Sequence, residues 1–378
     1  MKVLSESFFH IFCFLFLFFS VTMMSYWNDQ MVHEESLSTS WWDRSSILLV
    51  GYGLFLWLAN VHRRYRGIHL ICLLWVIIMP VVLLLNHAGS LNQYVKTLIW
   101  PILFELSYML VYQEERRCTM IQNIMVLLFF YGLYFFIQTR GDLERQTNTI
   151  YLSFLTLPWL LYNREKKTQL FILLFVTLLC FLSLKRSVML AIALIWTFQA
   201  IQFAKGRKNI INTLIVISVA FVSLGYLYSR VNEQTGGLLE ERINREETDT
   251  GKNRLAIWEV TGSMIASSSL TDLFIGHGHY AVYRDSPLRI SAHNDLLEVI
   301  YDYGLIIFAL YLGLWWYVIK CSIRLYRIRS DIFIPYMTSM SIFISMSMVG
   351  HLVLYTSHFN FLVVFWGCME GIGVHDEV

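Results

Sequence analysis

One histidine and two arginines, far apart in the sequence, have side chains suited to activating a hydroxyl group and holding a phosphate. His293 is followed by Asn294 at the end of a polar stretch of residues 229–292, and Arg254 lies within that stretch. A neutral imidazole can accept a proton from a sugar hydroxyl near pH 7. Asn294 could orient the imidazole or bind a sugar, or the pair could only cap the helix that follows.

The second arginine, Arg186, belongs to the basic turn Lys185-Arg186-Ser187 between two apolar runs. Charge asymmetry places this turn outside the membrane, where no nearby acid neutralises it. A guanidinium there could bind a lipid diphosphate through bidentate hydrogen bonds, with Lys185 as a second substrate-binding cation. The alternative is a pair of side chains that extend from helix ends toward water.

Arg254 lies in the segment GKNRLAIWE at 251–259, and Trp258 follows it by four residues. Leu255, Trp258 and Ile265 recur at helical spacing, which predicts a short amphipathic helix over 253–267 with Trp258 as its interfacial anchor. On such a helix Arg254 could reach phosphate oxygens and Trp258 could contact substrate. Arg254 could equally be an ordinary surface charge.

Weaker candidates are acidic or imidazole groups near helix ends or inside apolar runs. Glu105 lies within an apolar span, where a carboxylate is a candidate substrate-binding group or a paired group inside the bundle. Glu298 and Asp302 could act in the site or favour a helix N-terminus. His277 and His279, even with His293, lack the Cys or Asp partners of a metal site, so we expect neither a metal nor a cofactor.

Composition predicts an all-α polytopic membrane protein. The chain is 56% hydrophobic and 15% charged, whereas soluble domains are nearer a quarter charged. Apolar runs long enough to cross a bilayer as helices recur along the chain. About twelve spans are predicted, at 8–26, 45–61, 68–85, 94–112, 119–137, 148–162, 169–184, 188–204, 210–228, 295–319, 332–354 and 358–370.

Lys and Arg are concentrated in one set of short loops, which predicts that both termini are cytoplasmic and that the long loop is outside. This gives three segments: transmembrane helices over 1–228, an outer loop over 229–294, and transmembrane helices over 295–378. Residues 233–249 are dense in charge and are expected to be solvated. The first span is expected to remain as an anchor. The outer loops lack cysteine, so disulfides are not expected there, and the net charge of +2 does not indicate a nucleic-acid surface.

Four motifs occur in a characteristic order: KRS at 185–187, RLAIW at 254–258, GHG at 276–278 and HNDLLEVIYDYGL at 293–305. Over residues 170–320 this arrangement resembles the O-antigen polymerase/ligase superfamily of bacterial envelope glycosyltransferases. The resemblance implies a GT-C-like, metal-independent transfer on the periplasmic face of the inner membrane. The implied donor is an oligosaccharide on undecaprenyl diphosphate. Arg186 and Arg254 would bind the diphosphate, and His293 would be the base.

The resemblance leaves the acceptor open between two kinds of enzyme. A single long outer loop fits a ligase, whose acceptor is the lipid A-core. The KRS turn and the GHG turn before His293 fit a polymerase, whose acceptor is another glycan. A polymerase could also have a chain-length regulator as its partner. We favour the polymerase. A transporter or flippase of lipid-linked sugars is the alternative from another class, with Glu105 and His351 as its ionisable candidates.

Overall fold

The computed structural model describes residues 10–22, 38–59, 67–86, 91–139, 143–183, 185–203, 225–226, 229–230, 232–233, 236–237, 251–328, 331–350, 352–353 and 356–373. These residues form helices and no strand, which confirms the all-α prediction for the described part of the chain. The helices are suited to a membrane for two reasons. Their side chains are largely apolar, and a helix satisfies its backbone hydrogen bonds internally.

The helices are α1 His10–Thr22, α2 Ser38–Ala59, α3 Ile68–Leu85, α4 Leu91–Gln113, α5 Arg116–Gln138, α6 Leu143–Leu155, α7 Leu157–Leu161, α8 Lys166–Leu182, α9 Arg186–Phe203, α10 Gly251–Ala266, α11 Leu270–Ile275, α12 Ala281–Asp285, α13 Asp295–Ile328, α14 Phe333–Val349 and α15 Thr356–Gly371. Within the described part of the chain, four stretches are long and apolar enough to cross a membrane: Ile68–Leu85, Tyr94–Gln113, Arg116–Gln138 and Asp295–Ile328.

Every predicted span except 210–228 contains a described helix, and most of 210–228 lies outside the described residues. The hairpin predicted between 169 and 204 is present, since α8 ends at Leu182 and α9 begins at Arg186. Residues 234–235 and 238–249 of the charge-dense segment and His351 also lie outside the described residues.

Two departures from the predicted spans have identifiable causes. The span at 148–162 is divided into α6 and α7, since Pro158 at the start of α7 has no N–H to continue the helix. The span beginning at 295 extends to Ile328 and breaks at Gly304, whose φ of 75° and ψ of 177° are not helical.

The chain divides into two compact units. The first unit comprises residues 1–125, 256–320 and 350–378. Within it α4 packs against α2, α3 and α15. The Trp100 ring of α4 contacts Trp75 of α3 at 5.0 Å and Phe359 of α15 at 5.7 Å between centroids. Aromatic side chains therefore fill the core between these three helices.

The second unit comprises residues 126–255 and 321–349. Its central helix is α14, whose side chains are nearly all buried and which packs against α7 and α9. Trp196 of α9 donates its indole N–H to the Thr177 hydroxyl of α8 at 2.9 Å. This hydrogen bond joins the two arms of the hairpin that carries the basic turn.

Candidate functional site

His293 lies in the loop that enters α13, and the residues around it fix its backbone. Its φ of 53° is in the left-handed region, which is uncommon for a residue with a side chain. Asn294 follows as the N-cap of α13, because its Oδ1 accepts the backbone N–H groups of Leu296 at 3.0 Å and Leu297 at 3.3 Å. The capping role considered for Asn294 is therefore confirmed, while a sugar contact by the same residue stays a prediction.

Two side chains from different elements hold the backbone just before the helix. Glu298, buried one turn into α13, accepts the N–H of His293 at 3.1 Å and also that of Ala292. Trp258 of α10 donates its indole N–H to the carbonyl of Ala292 at 2.8 Å. Both polar groups of the Ala292 backbone are thereby bound, and the half-buried imidazole of His293 is presented from a fixed loop.

α10 extends over 251–266, close to the predicted 253–267, but its environment differs from the prediction. Its residue Ile257 is buried in a core cluster with Ala281, Val282, Ala292 and Tyr301. The indole N–H of Trp258 is hydrogen bonded to the protein backbone, and the role of this residue as an anchor at the membrane interface stays a prediction. Helical spacing alone predicts an apolar face but not what that face packs against.

The GHG turn at 276–278 is fastened to α13 where that helix breaks at Gly304. The His277 N–H donates to the Tyr301 carbonyl at 2.9 Å, and the Gly278 N–H donates to the Asp302 carbonyl at 2.8 Å. A Cβ at Gly276 would lie 2.3 Å from the Asp302 carbonyl oxygen, so the two backbones approach as only glycine allows. The turn thus supplies partners for carbonyl groups beside the break in the helix.

The acidic residues of α13 bind backbone N–H groups of the surrounding loops. Asp302 is fully buried and accepts the Val282 N–H at 2.9 Å. Asp295 accepts the N–H groups of Leu352 at 3.1 Å and Val353 at 3.3 Å, and the Tyr311 hydroxyl at 3.1 Å. These contacts favour a structural role for Asp302, as they do for Glu298, over the catalytic role left open by the sequence.

Both histidines of the GHGH sequence have partners in the fold. The His277 ring stacks on Tyr301 with 4.2 Å between centroids, and its Nε2 lies 2.8 Å from the Ser268 hydroxyl. His279 is buried, with Nδ1 hydrogen bonded to the Tyr303 hydroxyl. Among the described residues, no group of three or more His, Cys, Asp and Glu side chains could hold a metal ion.

An exposed ion pair lies on the same loop, at the end of α12. Arg284 Nε is 2.7 Å from Asp285 Oδ1, and this hydrogen bond lowers the pKa of Asp285 and raises that of Arg284. Arg284 also donates to the His277 carbonyl at 3.0 Å. The pair therefore braces the GHG turn against α12, and Arg284 was not among the residues singled out from the sequence.

The three predicted cations are placed as follows. Arg254 is half-buried and lies one helical turn before Trp258 on α10. Arg186 begins α9, and its side chain lies outside the described atoms. The Lys185 ammonium is 5.2 Å from the centroid of the Tyr151 ring, whose hydroxyl is 2.8 Å from that of Ser187. Tyr151 thus braces the basic turn within its own unit.

Glu105 lies in a separate polar cluster within the first unit. His69 Nδ1 is 2.9 Å from Glu105 Oε1, and His69 Nε2 is 3.7 Å from Glu370 Oε1. Glu370 also accepts a hydrogen bond from the Tyr317 hydroxyl at 2.7 Å. His69 is at the start of α3, whereas Asn86 at the end of α3 donates to the Ile275 carbonyl beside the GHG turn. About 25 Å of helix separates the two ends. The structure therefore does not bring Glu105 to the loop of His293.

The structure brings His293, Asn294 and Trp258 together, and it adds Glu298 as the group that fixes the loop. The sequence signal for Glu298 was its position four residues after Asn294, within reach of the backbone that precedes a helix N-terminus. No sequence signal identified Ala292 as the partner of Trp258, because the two residues are far apart in the chain.

Comparison with known families gives one match. Residues 170–312 match the family model described as O-Antigen ligase. This segment contains the basic turn, α10, the GHG turn and the His293 loop, so it includes every motif on which the sequence resemblance rests. The predicted relation to the O-antigen polymerase/ligase superfamily is confirmed. Comparison with curated proteins gives no match.

Proposed function

We propose that this member of the O-antigen polymerase/ligase superfamily is a glycosyltransferase that joins undecaprenyl-diphosphate-linked oligosaccharide units at the periplasmic face of the inner membrane. The observation that carries the proposal is the fixed loop of His293, whose backbone is bound by Glu298 and Trp258 within the family-matched segment. A rigid loop suits a catalytic base, because proton transfer requires the base to be held within hydrogen-bond reach of the reacting group.

In the proposed reaction, His293 accepts the proton of an acceptor hydroxyl as its oxygen attacks the anomeric carbon of the donor sugar. The bond from that carbon to the diphosphate oxygen breaks, and undecaprenyl diphosphate leaves. Arg254 and Arg186 neutralise the charge that develops on the leaving group. Lys185, Asn294 and Trp258 are proposed to assist substrate binding, and the transfer needs no metal. Glu105 of α4 is the least supported member of the predicted set, since its partner His69 lies at the end of α3 that is opposite to the GHG turn.

The proposed architecture is a GT-C-like arrangement of about twelve spans, with both termini cytoplasmic. Transmembrane segments over 1–228 and 295–378 flank a periplasmic loop over 229–294. The acceptor is proposed to be a second lipid-linked glycan, so that the product is a polymer and a chain-length regulator is an expected partner. Transfer to lipid A-core is the second candidate, favoured by the match to the O-antigen ligase family model and by the single long loop.

Three substitutions test the site in a strain that depends on this chain for its surface polysaccharide. His293→Ala, Arg254→Ala and Arg186→Ala should each abolish long-chain glycan on a gel while the protein level in the membrane stays normal. Arg289→Ala is the matched control, because Arg289 is an exposed cation of the same outer loop. A wild-type ladder from His293→Ala would refute the catalytic role of that residue.

Deletion of the gene separates the two acceptors. Loss of a polymerase should leave core capped by a single repeat unit, whereas loss of a ligase should leave bare core and polymer retained on its lipid carrier. Purified protein in detergent should still transfer glycan without a sealed membrane, and failure to do so under conditions where the donor binds would favour transport.

A further inference from the structure

A pocket lies within the first unit, between α3, α4, the GHG turn and the start of α13. Six of its lining residues are aromatic or polar: Trp75, Lys96, Thr97, Trp100, His279 and Tyr303. Val353 completes one wall, and its N–H donates to Asp295, which lies two residues after His293. The pocket is thus close to the candidate site but shares none of its proposed catalytic residues.

Within the described part of the chain, some polar atoms of the residues that line the pocket have hydrogen-bond partners and others have none. The Trp75 indole N–H donates to the Thr97 carbonyl at 3.0 Å, and the Thr97 hydroxyl donates to the Tyr94 carbonyl at 2.9 Å. Nε2 of His279 and Nε1 of Trp100 are buried and have no hydrogen-bond partner among the described residues. His279 is 7% exposed and Trp100 is 2% exposed. Buried polar atoms are rarely left without a partner in folded proteins.

The charge of the lining indicates what partner these atoms would accept. Burial and then the positive charge of Lys96 lower the pKa of His279 to about 3, so the imidazole is neutral at physiological pH. None of the described residues that line the pocket is Asp or Glu. An ammonium and an indole N–H are both donors, and a neutral imidazole whose Nδ1 accepts from Tyr303 is a third donor at Nε2, so the complementary group is a negatively charged acceptor.

We propose that this pocket binds one oxygen of an anionic group, a phosphate or a carboxylate, carried by a membrane lipid or a lipid-linked glycan. In the tautomer that the proposal requires, Nδ1 of His279 accepts the hydrogen bond of the Tyr303 hydroxyl, and Nε2 carries the hydrogen that the bound oxygen accepts, together with the Lys96 ammonium and the Trp100 indole N–H. The inference deepens the proposed function, on which its biological meaning depends, by adding a second anion site that is built from residues other than the two arginines.

The test is equilibrium binding of three probes with the same chain to the purified full-length protein in a neutral detergent. The probes are decyl phosphate, decanoate and decanol. The wild-type protein should bind decyl phosphate or decanoate at least about tenfold more tightly than decanol, as expected for one charge-assisted hydrogen bond. Equal binding of decanol would overturn the proposal, because a pocket that recognises only the ten-carbon alkyl chain of the probes does not require an anion.

Variants locate the binding. Lys96→Met keeps the apolar stem and removes the charge, and Trp100→Phe keeps a ring and removes the N–H; each should weaken anion binding about tenfold. Lys320→Met is the control, since Lys320 is exposed on α13 and does not line the pocket. Wild-type affinity in both Lys96→Met and Trp100→Phe, at unchanged melting midpoints, would exclude the site.

Two further arms separate the pocket from the transferase site and identify the source of the anion. Arg254→Ala should lose glycan transfer and retain the binding component that depends on Lys96, so failure of one proposal is distinguishable from failure of the other. In nanodiscs, competition of decyl phosphate by phosphatidylglycerol assigns the pocket to a lipid headgroup. Binding that phosphatidylglycerol does not reduce assigns it to a lipid-linked glycan.

Discussion

Replacement of Gly304 by alanine tests whether the break in α13 holds the GHG turn in place. A Cβ at this position would lie 2.3 Å from the Phe274 carbonyl oxygen and 2.5 Å from the Gly276 nitrogen. Both atoms belong to the backbone, so they cannot move aside without displacing the turn. The φ of 75° with a ψ of 177° adds strain, since this region is essentially restricted to glycine.

The cost can be worked out from these contacts. The backbone conformation costs about 1–3 kcal/mol for a residue with a side chain. If the turn moves away, the hydrogen bonds from His277 and Gly278 to α13 are lost, at about 1 kcal/mol each. Gly304→Ala should therefore destabilise the turn locally by about 3–5 kcal/mol, release the chain segment before His293 and reduce glycan transfer severely.

The assay compares limited proteolysis of the segment around residues 270–285 with the melting midpoint of the detergent-purified protein. Gly262→Ala is the matched control, because Gly262 lies in α10 with nothing within 4 Å of an added Cβ. That variant should be as stable as wild type or up to about 1 kcal/mol more stable, from helix propensity. Equal protease resistance of Gly304→Ala and Gly262→Ala would refute the reasoning.

Three further substitutions probe the supports of the site. Trp258→Phe removes the indole N–H from the Ala292 carbonyl and should lower the transfer rate about tenfold at an unchanged melting midpoint; an unchanged rate contradicts the positioning role. Asp295→Asn places an amide N–H₂ against backbone donors and should cost about 2–4 kcal/mol in thermal unfolding, which a wild-type midpoint would disprove. Burial keeps the pKa of His279 at about 3 when folded against 6.5 when unfolded, so the unfolded turn binds the extra proton and stability falls as pH drops below 6.5. Proteolysis at pH 5 should show a loss of about 2 kcal/mol relative to pH 7, and His279→Gln should remove this pH dependence.

The predicted helices could be located from the sequence because hydropathy is a property of consecutive residues. The runs at 68–85 and 119–137 coincide closely with α3 and α5. The hairpin at 169–204 followed from length alone, since one continuous helix would exceed the thickness of a bilayer. The ordered KRS, RLAIW, GHG and HN motifs likewise sufficed to indicate the family, because a family resemblance is carried by residue types in order.

The roles of individual side chains could not be predicted in this way. For Glu298 the sequence left open a role in the site or one at the helix N-terminus, and only the structure shows that its carboxylate accepts the His293 N–H. Trp258 was expected to anchor a helix at the interface, but its partner, Ala292, lies 34 positions further along the chain. Such a contact depends on how α10 packs, and periodicity carries no information about packing partners.

Composition and motif order by themselves predicted a helical, membrane-type chain and the segment, residues 170–312, that matches the O-antigen ligase family model. The tertiary structure alone decided that the GHG turn is fastened to a break in α13, and that Lys96 and His279 line one pocket although they are far apart in the sequence. The physical reason is that burial and hydrogen bonding act between surfaces brought together by folding, whereas hydropathy and motif spacing act along the chain.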